Sequence, residues 1–203
     1  DFSRSRAALA EFRVAAETDP WAGRGGLLAQ LGGRDVVIAF IESYGRAAFD
    51  NPLYAARHEK TLAEGEAALR QAGLEARSGW LTSPVMGGQS WLAHGALASG
   101  LDVSDQTRYR ALLTSPRKTL FTLAQDAGYQ SVAVAPAIVM PWPEGPQLGF
   151  ETVLAAADLG YEGLPFNWVT MPDQYTWRWF QKLREQTPES MRRKSKIAPT
   201  LTG

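Results

Sequence analysis

The sequence predicts an α/β fold, a mostly parallel sheet flanked by helices, and three observations carry that prediction. Val36-Val37-Ile38-Ala39-Phe40-Ile41 is an uninterrupted apolar run rich in β-branched residues, the pattern of a strand covered on both faces. Ser131-Val132-Ala133-Val134-Ala135 is a second such run. Around them stand helical patterns closed by glycine, and the succession helix, glycine, strand is the rhythm of a doubly wound sheet.

The elements follow in order. Between Ser5 and Ala16, the residues Ala8, Leu9, Phe12, Ala15 and Ala16 recur at helical spacing, and Asp19-Pro20 breaks the pattern. Residues 1–30 therefore read as a helical lead-in, closed by the Gly23-Arg24-Gly25-Gly26 turn. A second glycine pair, Gly32-Gly33, precedes the first strand. Pro52 to Ala72 is helical with both signs of charge interspersed, and Gly73 supplies its stop. Another helix follows Ser90, and a third spans Pro116 to Ala127 and stops at Gly128.

Pro136 to Pro146 holds four prolines and predicts a loop around Trp142, since proline removes a backbone donor and fixes φ. Asp158-Leu159-Gly160-Tyr161 predicts a turn. Met171-Pro172-Asp173-Gln174 opens a helix whose Tyr175, Trp177, Trp179 and Phe180 belong to the core or to an interface. Residues 182–203, with Met191-Arg192-Arg193-Lys194-Ser195-Lys196, read as a basic, disordered tail.

Composition narrows the function classes. The 203 residues carry 21 basic and 21 acidic side chains, so no global charge points to nucleic acid as a partner. The absence of cysteine excludes disulfides, thiolate metal ligands and a cysteine nucleophile. No apolar run reaches the roughly 18 residues that a transmembrane helix needs, and the amino end has no signal-peptide pattern. The chain begins at Asp1, which reads as a fragment of a longer protein.

Chemistry concentrates at Gly87-Gly88-Gln89-Ser90, a glycine turn that runs through one serine into the small apolar helix Trp91 to Leu101. Glycines let a ligand approach the backbone, and the N–H groups and dipole of a helix start favour an anion. Ser90 is the candidate nucleophile, with Gly88 and Gln89 as candidate substrate-binding residues. A serine here also has the ordinary role of a helix cap. A hydroxyl needs a base or a metal to react, and the chain has only two histidines, His58 and His94. His94 follows Ser90 by one helical turn on the same face and is the second candidate catalytic residue, with helix packing as its alternative. His58 stands among charged residues and reads as solvated surface. Glu42 follows the first strand, where ligands of open α/β sheets bind, and is the candidate metal ligand together with Ser90.

These segments resemble a known family. Val36-Val37-Ile38-Ala39-Phe40-Ile41-Glu42-Ser43, taken with Ser90-Trp91-Leu92-Ala93-His94-Gly95-Ala96-Leu97-Ala98-Ser99-Gly100, resembles the sulfatase-like branch of the alkaline phosphatase superfamily. The similarity is greatest to the bacterial membrane-anchored lipoteichoic-acid-synthase and phosphoglycerol-transferase type. Ser90 stands for the nucleophile of the C/S-x-P-S-R signature, His94 for its arginine and Ser99-Gly100 for the closing T-G, while Leu92 replaces the proline. Gly149-Phe150, Asp158-Leu159-Gly160-Tyr161 and Met171-Pro172-Asp173-Gln174-Tyr175-Thr176 are similar to downstream parts of such domains.

The resemblance implies a partial sulfatase-like α/β domain over residues 31–181, with an alkaline-phosphatase-like sheet. It implies a metal-dependent hydrolase or transferase acting on phosphate or sulfate esters through Ser90, with a divalent ion (Mn, Mg, Ca or Zn) held by Glu42 and Ser90. His94 would contact the anion or the leaving group. The implied partners are an anionic ester and a membrane lipid or envelope glycan. The implied location is the extracytoplasmic face of a bacterial inner membrane, with an upstream membrane anchor in the full-length protein. Family members complete the metal site with aspartate and histidine from a carboxyl-terminal half, and no histidine follows His94. The expectation is a chain without that half and inactive by itself. Two other classes stay open: a non-enzymatic α/β domain with a vestigial site, and a metal-independent serine esterase using His94 or His58 as base.

Overall fold

The computed structural model describes residues 2–42, 44–165, 169–186 and 200–201. It is a mixed α/β structure whose contacts fall into two compact units, one formed by residues 1–41 and 84–203 and the other by 42–83.

In the larger unit the sheet is parallel. Strand β2 (Val132–Ala135) pairs with β3 (Thr152–Ala155) over its whole length, from Val132 opposite Thr152 to Ala135 opposite Ala155. The two-residue strands β1 (Ile38–Ala39) and β4 (Thr200–Leu201) extend it in the order β1-β4-β2-β3. Strand β2 is buried at every position, as its apolar run predicts. Its alternating side chains feed two layers. Val132 and Val134 pack with Leu159, Met171 and Phe180, the last from the long helix Asp173–Gln186. Ala133 points the other way, into a cluster with Ala98, Phe121, Leu148 and Phe150.

The run Val36 to Ile41 differs from its expectation. Val36, Ile38 and Phe40 are half-buried, whereas Val37 and Ile41 are 40% and 57% exposed. Only one face is covered, because the strand is two residues long and pairs with the equally short β4.

The helices of the larger unit are α1 (Phe2–Glu17), α4 (Ser90–Ser99), α5 (Gln106–Leu113), α6 (Leu120–Asp126), α7 (Glu144–Gln147) and α8 (Asp173–Gln186). Phe12 and Ala16 of α1 meet Leu92 of α4 and Tyr109 and Leu112 of α5 in a third buried cluster. Helix α4 thus serves two layers, with Leu92 toward α1 and α5 and Ala98 toward the sheet. Arg117 ties its end to that of α1, donating from Nε and Nη2 to the Ser99 carbonyl and from Nη1 to the Thr18 carbonyl.

The smaller unit contains α2 (Ala47–Asp50) and α3 (Ala55–Gln71), and none of its described residues is buried. Its side chains gather around Phe49, whose ring meets those of His58 and Trp80 edge-on at 4.6 and 4.9 Å. Tyr44 Oη lies 2.9 Å from His58 Nε2. His58 is therefore half-buried in an aromatic cluster, not the solvated residue its charged neighbours suggest.

Helices α3 and α6 form with shorter bounds than predicted and α1 with longer ones, while α2, α5, α7, β3 and β4 have no counterpart in the sequence reading, α7 starting inside the predicted proline loop. The expected tail divides: residues 182–186 are the last turn of α8, Thr200–Leu201 are β4, and 187–199, with the basic run Met191 to Lys196, lie outside the described residues.

Candidate functional site

The site is built at the start of α4. Gly87, Gly88 and Gln89 all have left-handed backbone, with φ of 70°, 66° and 52°. Glycine adopts this without penalty, but an L side chain pays about 1 kcal/mol or more, so Gln89 is a strained residue next to the candidate nucleophile. A Cβ on Gly87 or Gly88 would meet no atom within 4 Å. The glycines are needed for the turn, and the space beside them is open.

Gln89 is the N-cap of α4 and makes no side-chain capping bond, and the first turn of the helix carries no acidic side chain. Leu92 N–H already donates to the Gln89 carbonyl at 3.0 Å, so among the described residues the N–H groups of Ser90 and Trp91 and the positive end of the dipole are left for an external acceptor. Ser90 is the first residue of the helix and is half-buried. Trp91 anchors the turn, its Nε1 donating to Gln106 Oε1 at 3.1 Å at the start of α5.

Helical geometry separates the roles along α4. Leu92, fully buried, faces α1 and α5. Ser90 and His94 are one turn apart and about 40° apart around the axis, on the side opposite Leu92. The His94 ring rests on Phe40 with centroids 3.9 Å apart. Phe40 follows β1 directly, while Ile38 within β1 packs against the cluster containing Ala98, farther along α4. His94 thus lies against the residue that leaves the carboxyl end of β1, the end of a parallel strand at which ligands of α/β sheets bind.

The structure thus brings Gly88, Gln89, Ser90 and His94 together. Glu42 is exposed and is the first residue of the smaller unit. Among the described residues no three His, Cys, Asp or Glu side chains gather as a metal-binding group. Glu42 and Ser90 offer two oxygen donors, fewer than the four or so that a tightly held divalent ion takes, so the described residues do not make a complete metal centre.

Sequence reasoning missed Phe40 as the support of His94 and the left-handed backbone of Gln89. Phe40 was within reach, since it sits beside Glu42 at the end of a predicted strand. Gln89 was not, because glutamine carries no preference for positive φ.

No protein family, no curated protein and no solved structure matches this chain.

Proposed function

We propose that Ser90 is the nucleophile of a hydrolase or transferase acting on phosphate or sulfate esters, of the sulfatase-like, alkaline-phosphatase-related kind. One observation supports it above the others: the strained left-handed turn Gly87-Gly88-Gln89 delivers Ser90 as the first residue of a helix whose His94, one turn on, packs on Phe40 just after strand β1. The open N–H groups of that turn receive the oxyanion, which is attracted by an unneutralised helix start. Ser90 Oγ attacks phosphorus or sulfur, the bond to the alcohol breaks, and water or an acceptor alcohol later displaces the group from the serine. His94 is on the same helix face, at the anion or the departing alcohol.

A divalent ion, with Glu42 among its ligands, belongs to the proposal through the sequence resemblance alone. So do an envelope glycan or lipid as acceptor and an extracytoplasmic location. No described helix is long and apolar enough to cross a membrane.

The test is turnover of aryl phosphate and aryl sulfate esters by the longest natural reading frame that contains this chain. Ser90→Ala is expected to remove activity while circular dichroism stays unchanged, and Glu42→Gln and exhaustive chelation are expected to lower it. Near-normal turnover by Ser90→Ala removes Ser90 from the chemistry. Activity that survives chelation gives the site to a metal-independent serine esterase. No turnover of either ester makes the turn a binding site alone.

A further inference from the structure

The second glycine segment, residues 21–33, borders an open pocket of about 390 Å³ lined on its other side by the end of α6. Its lining combines the Trp21 ring, the side chains of Leu28 and Leu123, and the charged groups of Arg24, Lys118 and Asp126. That volume is in the range that encloses a small metabolite.

The charges of the cavity do not cancel. Lys118 Nζ donates to Asp126, so these two charges satisfy each other. The hydrogen bond to Asp126, and then its charge, hold the Lys118 ammonium above its ordinary pKa, so it stays protonated. Arg24 is different. Its guanidinium lies 5.5 Å from the centre of the Trp21 ring, and among the described residues no carboxylate pairs with it. Its planar fork of donors matches an oxyanion, and the ring below holds it in place.

The loop backbone adds further donors. Among the described residues the N–H groups of Gly23, Gly25 and Gly26 have no protein acceptor. A Cβ on any of the three would meet nothing within 4 Å, so a ligand can come up to the main chain. Leu28 has φ of 62°, a left-handed conformation costly for a leucine, in the wall of the same cavity.

We propose that this cavity binds a small sugar or polyol phosphate. The phosphate is received by Arg24 and the amides of Gly23, Gly25 and Gly26. The carbon face of the sugar lies on Trp21, and its hydroxyls bond the Lys118–Asp126 pair, which offers both donors and an acceptor. The proposal is independent of Ser90, which is not among the residues lining the cavity.

The test is a nitrogen-proton correlation spectrum of the full chain titrated with glucose 6-phosphate, with inorganic phosphate and with glucose. The Gly23, Gly25 and Gly26 amides are expected to shift saturably with glucose 6-phosphate, at a half-saturating concentration at least about 10-fold below that of phosphate. Glucose alone is expected to move them little. Arg24→Gln, a change at an exposed position, is expected to weaken binding about 10-fold or more. Ser90→Ala is expected to leave it unchanged, so failure here is separate from failure of the chemistry proposed for Ser90. Shifts that rise linearly without saturation, shifts confined to Gly87 and Gly88, or binding unaffected by Arg24→Gln would overturn the site. Equal affinity for phosphate and glucose 6-phosphate would overturn the sugar assignment.

Discussion

Tyr109 shows how burial sets the chemistry of a single side chain. It is only 3% exposed, beneath α4, and a Cβ on Gly95 would stand 3.3 Å from its ring. Burial, helped by the carboxylate of Glu144, pushes its hydroxyl up to about 12 from the usual 10.0. The sign of the stability effect follows from proton counting. Below pH 10 both folded and unfolded chains hold the proton, and nothing changes. Between pH 10 and about 12 the unfolded chain loses it while the folded chain keeps it, so stability falls with rising pH, by something on the order of 2 kcal/mol. Denaturant titrations at pH 9 and pH 11.5, compared between the wild type and Tyr109→Phe, measure this. The wild type should lose more stability than the variant, and parallel losses would show that Tyr109 titrates normally.

At the scale of elements, legibility depended on whether local chemistry or distant packing decides the conformation. The β2 run and the α4 helix stood out because apolar residues cluster where both faces are covered. Helix α5 did not, since Gln106-Thr107-Arg108-Tyr109-Arg110 is mostly polar. Its start was nevertheless encoded in Asp105, whose carboxylate accepts from the N–H groups of Thr107 and Arg108. Burial alone would raise the Asp105 carboxyl. The Arg108 N–H and guanidinium outweigh it and bring the group below its ordinary value. Strand β3 was hidden because its four residues are fixed by long-range bonds at the preceding turn. There the Gly149 carbonyl accepts from Ser131 Oγ at 2.6 Å and Gln125 Nε2 at 2.7 Å, while Thr119 Oγ1 donates to the Leu148 carbonyl. Gly149 has φ of 99°, and a Cβ on it would lie 2.7 Å from Thr122 Cγ2 and 2.8 Å from the Thr122 backbone nitrogen. Backbone cannot give way as a side chain end can. Gly149→Ala should therefore cost at least about 2 kcal/mol in urea unfolding, from strain and overpacking together. A loss below about 0.5 kcal/mol would mean that the turn is not built this way.

For the whole molecule, the distribution of burial predicts how it opens. The three buried clusters all belong to the larger unit, which draws on chain from both sides of residues 42–83. Unfolding β2 exposes Val132 and Val134 to water on one face and Ala133 on the other, so its amides open only when the layers separate. Helix α3 is 17 residues long, but none of them is buried, and Leu62 and Leu69 are 42% and 38% exposed. Its ion pairs, Lys60 with Glu64 and Arg70 with Glu66, are exposed surface pairs that contribute a few tenths of a kcal/mol each at most. What stabilises α3 lies within the smaller unit, in its own turns and the aromatic contacts of His58, and a unit without a buried core opens without the rest of the fold. Native-state hydrogen exchange should show this directly. The amides of Val132–Ala135 should exchange at the free energy of global unfolding and respond to denaturant with the full slope. Those of Ala55–Gln71 should exchange at least about 100-fold faster and nearly independently of low denaturant. Equal protection in α3 and β2 would show that the smaller unit opens only with the larger one, and that the two are a single cooperative fold.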